Sequence, residues 1–339
     1  MFENIQYIIY IISIMIISGL IKDYNLFSYL YTAIKDKLKS KRMVVFMVSC
    51  LGGILPIPGR VIVSAGVLDT LIDHQKPKGK YGIINFLSTH HYYWWSPLEK
   101  TVAIPMSVLG LSYLQFIKYA WVPLAISLLL MFYYIFVYLK EEDVVLKDLP
   151  ETKKHNSLFI LSPLLISIGV LCAGIKPYIV FPITTIVYAL ICREYRPKKM
   201  ISYINWKLIG IVFMIMLISN YISLHNSIII SYLTNLPSTL NINTLIGFFI
   251  ISILAFTASF IMGSSSKYAG IVALLCSIFG IQYLTYFLTL EFAAYILSPT
   301  HKCVLISSVY FKTPLREYYK VLVTWAVILV GYGIVSIFI

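Results

Sequence analysis

Charge is what this chain lacks most. Of 339 residues only 12% are charged and just 14 are acidic, against 59% hydrophobic and a mean hydropathy of +0.85. A soluble domain carries about a quarter charged residues, so this shortage excludes a water-soluble globule and leaves an integral membrane protein. Long polar stretches are missing too. The longest, around 140–156 and 193–207, are loops, which excludes a separate soluble domain. The apolar runs lack the alternation of a barrel strand and have helical length. The first of them, IQYIIYIISIMIISGL, has no basic n-region and no small-residue cleavage site, so it reads as a retained helix. The five cysteines (Cys50, Cys172, Cys192, Cys276, Cys303) lack metal or redox spacing and read as small core residues. No basic stripe with interleaved aromatics stands outside the apolar runs, so the net charge of +13 does not point to nucleic acid.

What is present is a loop-borne excess of Lys and Arg, which sets orientation by the positive-inside rule. KDKLKSKR (35–42), KPKGK (76–80), the 140–156 loop, REYRPKK (193–199) and KTPLREYYK (312–320) are placed inside. The loop 224–243 carries no Lys, Arg, Asp or Glu and is placed outside. This threading predicts an all-α polytopic protein of the cell membrane, with about 8 full crossings, two re-entrant hairpins and both termini outside. Residues 1–139 form a first unit with a hairpin at 43–72 and a broken helix at 81–118. Residues 140–207 link with two transmembrane helices. Residues 208–339 form a second unit with a hairpin at 243–281 and a broken helix at 283–311.

The two units repeat each other. YWWSPLEKTVAI (93–104) and YILSPTHKCVLI (295–306) align at offset 202 (298 − 96), matching Tyr93, Ser96, Pro97, Lys100, Val102 and Ile104. Gly59, Ala65 and Gly66 recur at offset 204 as Gly263, Ala269 and Gly270. Five crossings between the hairpins give the units opposite orientation. This is the inverted-repeat plan of secondary transporters, whose sites form at the midplane from broken helices.

Four segments are therefore candidate site elements. The hairpin tips offer Pro58, Gly59 and Arg60 in one unit and Gly263, Ser264, Ser265, Ser266 and Lys267 in the other. Exposed amides at a helix N-terminus with nearby hydroxyls suit an anion, although a Gly/Ser turn also serves merely to satisfy its own backbone. The breaks offer Ser96, Pro97 and Lys100, and Ser298, Pro299, Thr300 and Lys302. Their unwound carbonyls suit Na⁺. The bland alternative makes each Lys a structural counter-ion. Glu99, His90 and His301 are candidates for a coupling proton or ion. The bland reading of the histidines is ordinary core hydrogen bonding, and that of Glu291 is an interfacial position. The excess of cations over acids points to a small anion, with carboxylates foremost. No metal and no cofactor beyond a coupling Na⁺ is expected. The rivals are an intramembrane metalloenzyme built on His90, His91 and His301, and an anion channel; the H-E-x-x-H spacing that would favour the enzyme is lacking.

LPIPGRVIVSAGVLD, NFLSTHHYYWWSPLEK and LSPTHKCVLISSVYF resemble blocks of the prokaryotic membrane family called domain of unknown function 401. The resemblance covers most of the chain. Ser298, Pro299, His301 and Cys303 match its most specific block, with Ile306 where the family has Leu. The family pattern has a glycine where Arg60 stands, an arginine where Thr89 stands and an acid where Tyr93 stands. That family is grouped with the ion transporter superfamily of divalent-anion/Na⁺ symporters and citrate carriers. The resemblance implies a non-enzymatic carrier with two re-entrant hairpins facing broken helices. It also implies a scaffold that forms a homodimer, and elevator-type alternating access.

Overall fold

The computed structural model describes residues 2–24, 40–54, 79–140, 157–204 and 245–339, with isolated positions between them. Among the described residues there are thirteen α-helices and no strand. They are α1 (Phe2–Asp23), α2 (Lys41–Ile54), α3 (Gly79–His90), α4 (Lys100–Leu109), α5 (Tyr113–Tyr133), α6 (Ser157–Cys172) and α7 (Pro177–Cys192). After these come α8 (Pro197–Ser202), α9 (Leu245–Met262), α10 (Ser265–Phe279), α11 (Leu284–Leu297), α12 (Lys302–Tyr310) and α13 (Leu315–Val335). A 3₁₀ turn (His91–Trp94) prolongs α3, another (Ile281–Tyr283) leads into α11, and a π turn (Tyr134–Tyr138) extends α5.

Both Ser-Pro segments interrupt helices, as a residue without a backbone donor should. The first interrupted run also ends sooner than its hydropathy suggests. Gly110 takes a left-handed φ of 66° and donates its N–H to the Met106 carbonyl, closing α4. Ser112 then opens α5 with a capping box: its Oγ accepts from the Gln115 N–H, and the Gln115 side chain accepts from the Ser112 N–H. Thus α5 begins at Tyr113 and not at 119.

Among the described residues two segments are long and apolar enough to cross a membrane, the 26 residues Tyr113–Tyr138 and the 21 residues Leu315–Val335. They start 202 residues apart (315 − 113), and α4 and α12 start 202 apart as well (302 − 100). Trp121, Leu129, Tyr133 and Val137 on one span, and Val323, Val327 and Ile328 on the other, point outward. An apolar outer face is the reverse of what water selects.

Packing places the two interrupted helices at the centre. The segment α11 lies along α13, and a Cβ on Gly333 would overlap the Thr289 hydroxyl, so glycine permits the close approach. Helix α10 packs against α4 and α11, and α12 packs against α3 and α13. On the periphery α1 lies on α7, with the Tyr10 and Phe181 rings 5.1 Å apart.

One ionic cluster pins that periphery. The Glu194 carboxylate, in the loop after α7, is buried and accepts from Arg196 Nε at 2.9 Å, Arg196 Nη2 at 2.7 Å and Tyr24 Oη at 2.6 Å, with Lys199 Nζ at 3.3 Å. The Arg196 hydrogen bonds, and then that of Tyr24, hold the Glu194 carboxyl far below the usual carboxylate range. The basic loop 193–199 is thereby tied to the end of α1.

Candidate functional site

The first break, Trp95 to Glu99, is stitched shut. Ser96 N–H donates to the Tyr92 carbonyl at 3.0 Å, and Glu99 N–H to the Ser96 carbonyl at 2.9 Å. Side-chain hydroxyls hold three more carbonyls. Thr101 Oγ1 donates to the Tyr93 carbonyl at 2.8 Å, Tyr113 Oη to that of Trp95 at 2.8 Å, and Tyr10 Oη to that of Pro97. Ser96, Pro97, Leu98 and Glu99 are buried, and Lys100, which opens α4, is half-buried. The carbonyls expected to await an ion at this break already accept from the protein.

The second break, Ser298 to His301, is open. Pro299 and Thr300 are exposed. Its hydroxyls bond one another and the end of α9: Ser298 Oγ lies 2.9 Å from Thr300 Oγ1, and Thr300 Oγ1 donates to the Ile261 carbonyl at 3.2 Å. Gly263 takes a φ of 51° directly against this pair, and a Cβ there would overlap Thr300 Oγ1 and stand 2.8 Å from Ser298 Oγ. Ser264 and Ser266, 3.3 Å apart between hydroxyls, continue the cluster into the first turn of α10. The result is a group of four hydroxyls at a helix N-terminus whose first N–H groups have no intrahelical acceptor.

The sequence explains the contrast. At offset 202 the partner of Thr101 is Cys303 and that of Tyr113 is Leu315. Neither carries a hydroxyl, so the two hydroxyl donors of the first break have no hydroxyl counterparts at the second.

Between the breaks lies a buried aromatic core. Tyr93 Oη and Tyr295 Oη, residues 202 apart, hydrogen-bond at 3.0 Å. The His90 and His301 rings stand 5.3 Å apart, Phe86 stacks on His90 at 3.8 Å, and Tyr295 covers His301 at 4.1 Å. His90 Nδ1 donates to the Phe86 carbonyl at 2.7 Å; a carbonyl only accepts, which fixes the proton on Nδ1.

The structure thus brings Gly263, Ser264, Ser266, Ser298 and Thr300 together, and separately joins His90 to His301. Ser265 is half-buried in the same turn of α10, whereas Lys267 is exposed. Lys302 opens α12, and its side chain lies outside the described residues. Pro58, Gly59 and Arg60 also lie outside them. His91 stands apart from the other histidines: its Nδ1 accepts from Trp95 Nε1 at 3.1 Å, and its Nε2 lies 3.7 Å from Cys50 Sγ. Glu291, whose bland reading was interfacial, is completely buried on α11. Its Oε2 accepts from Ser259 on α9, and its Oε1 has no partner among the described residues. Ser259 is a further member that sequence reasoning passed over, and Cys303 was read there as a small core residue. The signals for Cys303 were its place two residues after His301 and its membership of the Ser-Pro-x-His-x-Cys block.

The model of the family described as Protein of unknown function (DUF401) matches residues 3–339, so the chain belongs to that family. No curated protein matches it.

Proposed function

We propose that this DUF401 chain is a secondary active transporter for a small anion of the carboxylate class, working by elevator-type alternating access in the cell membrane. The observation that carries this reading is the hydroxyl cluster of Ser264, Ser266, Ser298 and Thr300 at the N-terminus of α10, with Thr300 exposed, Ser264 and Ser266 half-buried and Ser298 buried. Hydroxyl donors, orphan amides and the positive end of a helix dipole converge there, which suits an oxyanion. The inverted-repeat plan is supported by the common offset of α4–α5 and α12–α13. The Tyr93–Tyr295 contact supports it as well, since a residue meets its own counterpart only beside a two-fold axis. In this reading the long spans and the shorter apolar helices make a multi-pass bundle with both termini outside, paired as a homodimer through the scaffold. Coupling falls to Na⁺ at the hydroxyl cluster or to H⁺ on a buried acid. Glu291 joins Glu99, His90 and His301 as a candidate proton carrier, because an ionisable side chain buried inside a bilayer is by default a functional one.

A thermal-shift screen of the purified chain tests the reading. Mono-, di- and tricarboxylates and inorganic oxyanions are added with and without Na⁺ and across pH. A ligand at about a hundred times its Kd stabilises by about 2.7 kcal/mol, which the screen resolves easily. At least one anion class is expected to raise the melting temperature. No response to any anion under any condition would overturn the carrier reading.

A further inference from the structure

The hydroxyl cluster leaves unused a second group that the fold assembles across its two halves. One ring nitrogen each of His90 and His301, together with Cys303 Sγ, lie within 4.8 Å of one another. His90 ends α3, whereas His301 and Cys303 flank the start of α12, so helices distant in sequence meet here. We propose that His90, His301 and Cys303 form a binding site for a thiophilic d¹⁰ cation such as Zn²⁺, which ties α3 to α12.

The chemistry of the donors selects the ion. Two imidazoles and a thiol hold borderline and soft cations, and they disfavour Na⁺, Mg²⁺ and Ca²⁺, which demand oxygen. Three protein ligands leave one position of a tetrahedron for water. Ligand atoms on a shared tetrahedral Zn²⁺ stand about 3.3–3.8 Å apart, so the group closes by about 1 Å on binding. The His90 Nδ1–H bond to the Phe86 carbonyl is the outer contact that orients a ligating imidazole and directs its lone pair to Nε2. Phe86 stacked on His90 and Tyr295 over His301 hold both rings in place. Cys303 is half-buried, which gives the ion a way in, while both histidines are buried. Binding exchanges the thiol proton of Cys303 for the metal, and that proton leaves to solvent. The site does not depend on the transport reading: a carrier, a channel or a structural protein would hold it equally.

The test uses the full chain in detergent, stripped with a chelator and titrated with Zn²⁺. Maleimide labelling is followed site by site by mass spectrometry. One equivalent of Zn²⁺ is expected to protect Cys303 and to leave the exposed Cys172 as reactive as before. Co²⁺ in place of Zn²⁺ is expected to give a thiolate-to-metal absorption band. The band should vanish in Cys303→Ala and weaken in His301→Gln, with metal affinity at least about ten-fold lower in each. The unmodified chain supplies the labelling readout, so a misfolded variant leaves the test intact. Equal labelling of Cys303 with and without Zn²⁺, or stoichiometric binding that survives both substitutions, would overturn the proposal.

Discussion

The two Ser-Pro breaks share a motif and an offset but not a state. Leu98 and Thr300 occupy equivalent positions 202 residues apart, yet Leu98 is buried and Thr300 is exposed. The first break is closed by three hydroxyls from outside it, those of Tyr10, Thr101 and Tyr113. Among the described residues, the second break carries its own hydroxyls with Gly263 packed against them. The lesson is that the same Ser-Pro motif makes the backbone defect twice, while the side chains around it decide whether the defect is sealed or left accessible. The sealed copy resembles a support, and the open copy resembles a site.

The largest effect should come from filling the contact between tip and break. Gly263→Val puts a β-branched side chain at positive φ and into Thr300, and it should abolish any anion-dependent thermal shift. A response as strong as that of the unmodified chain would remove the hydroxyl cluster from the binding site. Next in size is opening the sealed break. Thr101→Val strips the Tyr93 carbonyl of its donor and should destabilise by about 1–3 kcal/mol, read by denaturation in detergent. It should also make a cysteine placed at Ser96 more reactive, and unchanged reactivity would show that the stitch does not govern exposure. The reverse exchange, Cys303→Thr with Leu315→Tyr, rebuilds two stitches in the second half. It should slow labelling of a cysteine at Thr300 several-fold, and an unaltered rate would sever the link between stitching and access.

The smallest effect on the comparison comes from the distant ionic cluster, which serves as the control. The folded-state pKa of Glu194 lies below its ordinary 4.5, so its stabilising contribution is complete above that value and is lost as pH falls below it. Glu194→Gln should flatten the acid limb of the stability profile and leave the reactivity of both breaks alone. Protein whose acid limb is unchanged by the substitution would show that the cluster does not fasten the loop.

Much of this was legible in the sequence. The breaks announced themselves because proline lacks a donor, and the common spacing of α4–α5 and α12–α13 follows that of the two motifs. The restart of α5 at Tyr113 was written in Gly110 and in Ser112 with Gln115, but a continuous apolar run hid it. Other features were not legible, because they depend on which helix faces which. Nothing local tells that Glu291 points at Ser259, or that Cys303 arrives beside His90 from the far half of the chain. The sealing of the first break is of the same kind. Tyr10 closes it from 87 residues away, through a contact that no motif encodes.

The account stands on the contrast between positions 98 and 300, and one measurement addresses it. Leu98→Cys and Thr300→Cys proteins in native membranes are labelled with a membrane-impermeant maleimide, and the two rates are compared by peptide mapping. The sealed and open breaks predict that the cysteine at 300 reacts at least about ten-fold faster, with saturating anion slowing it and not its counterpart. Equal rates at the two positions, or protection of the cysteine at 98 alone, would contradict it.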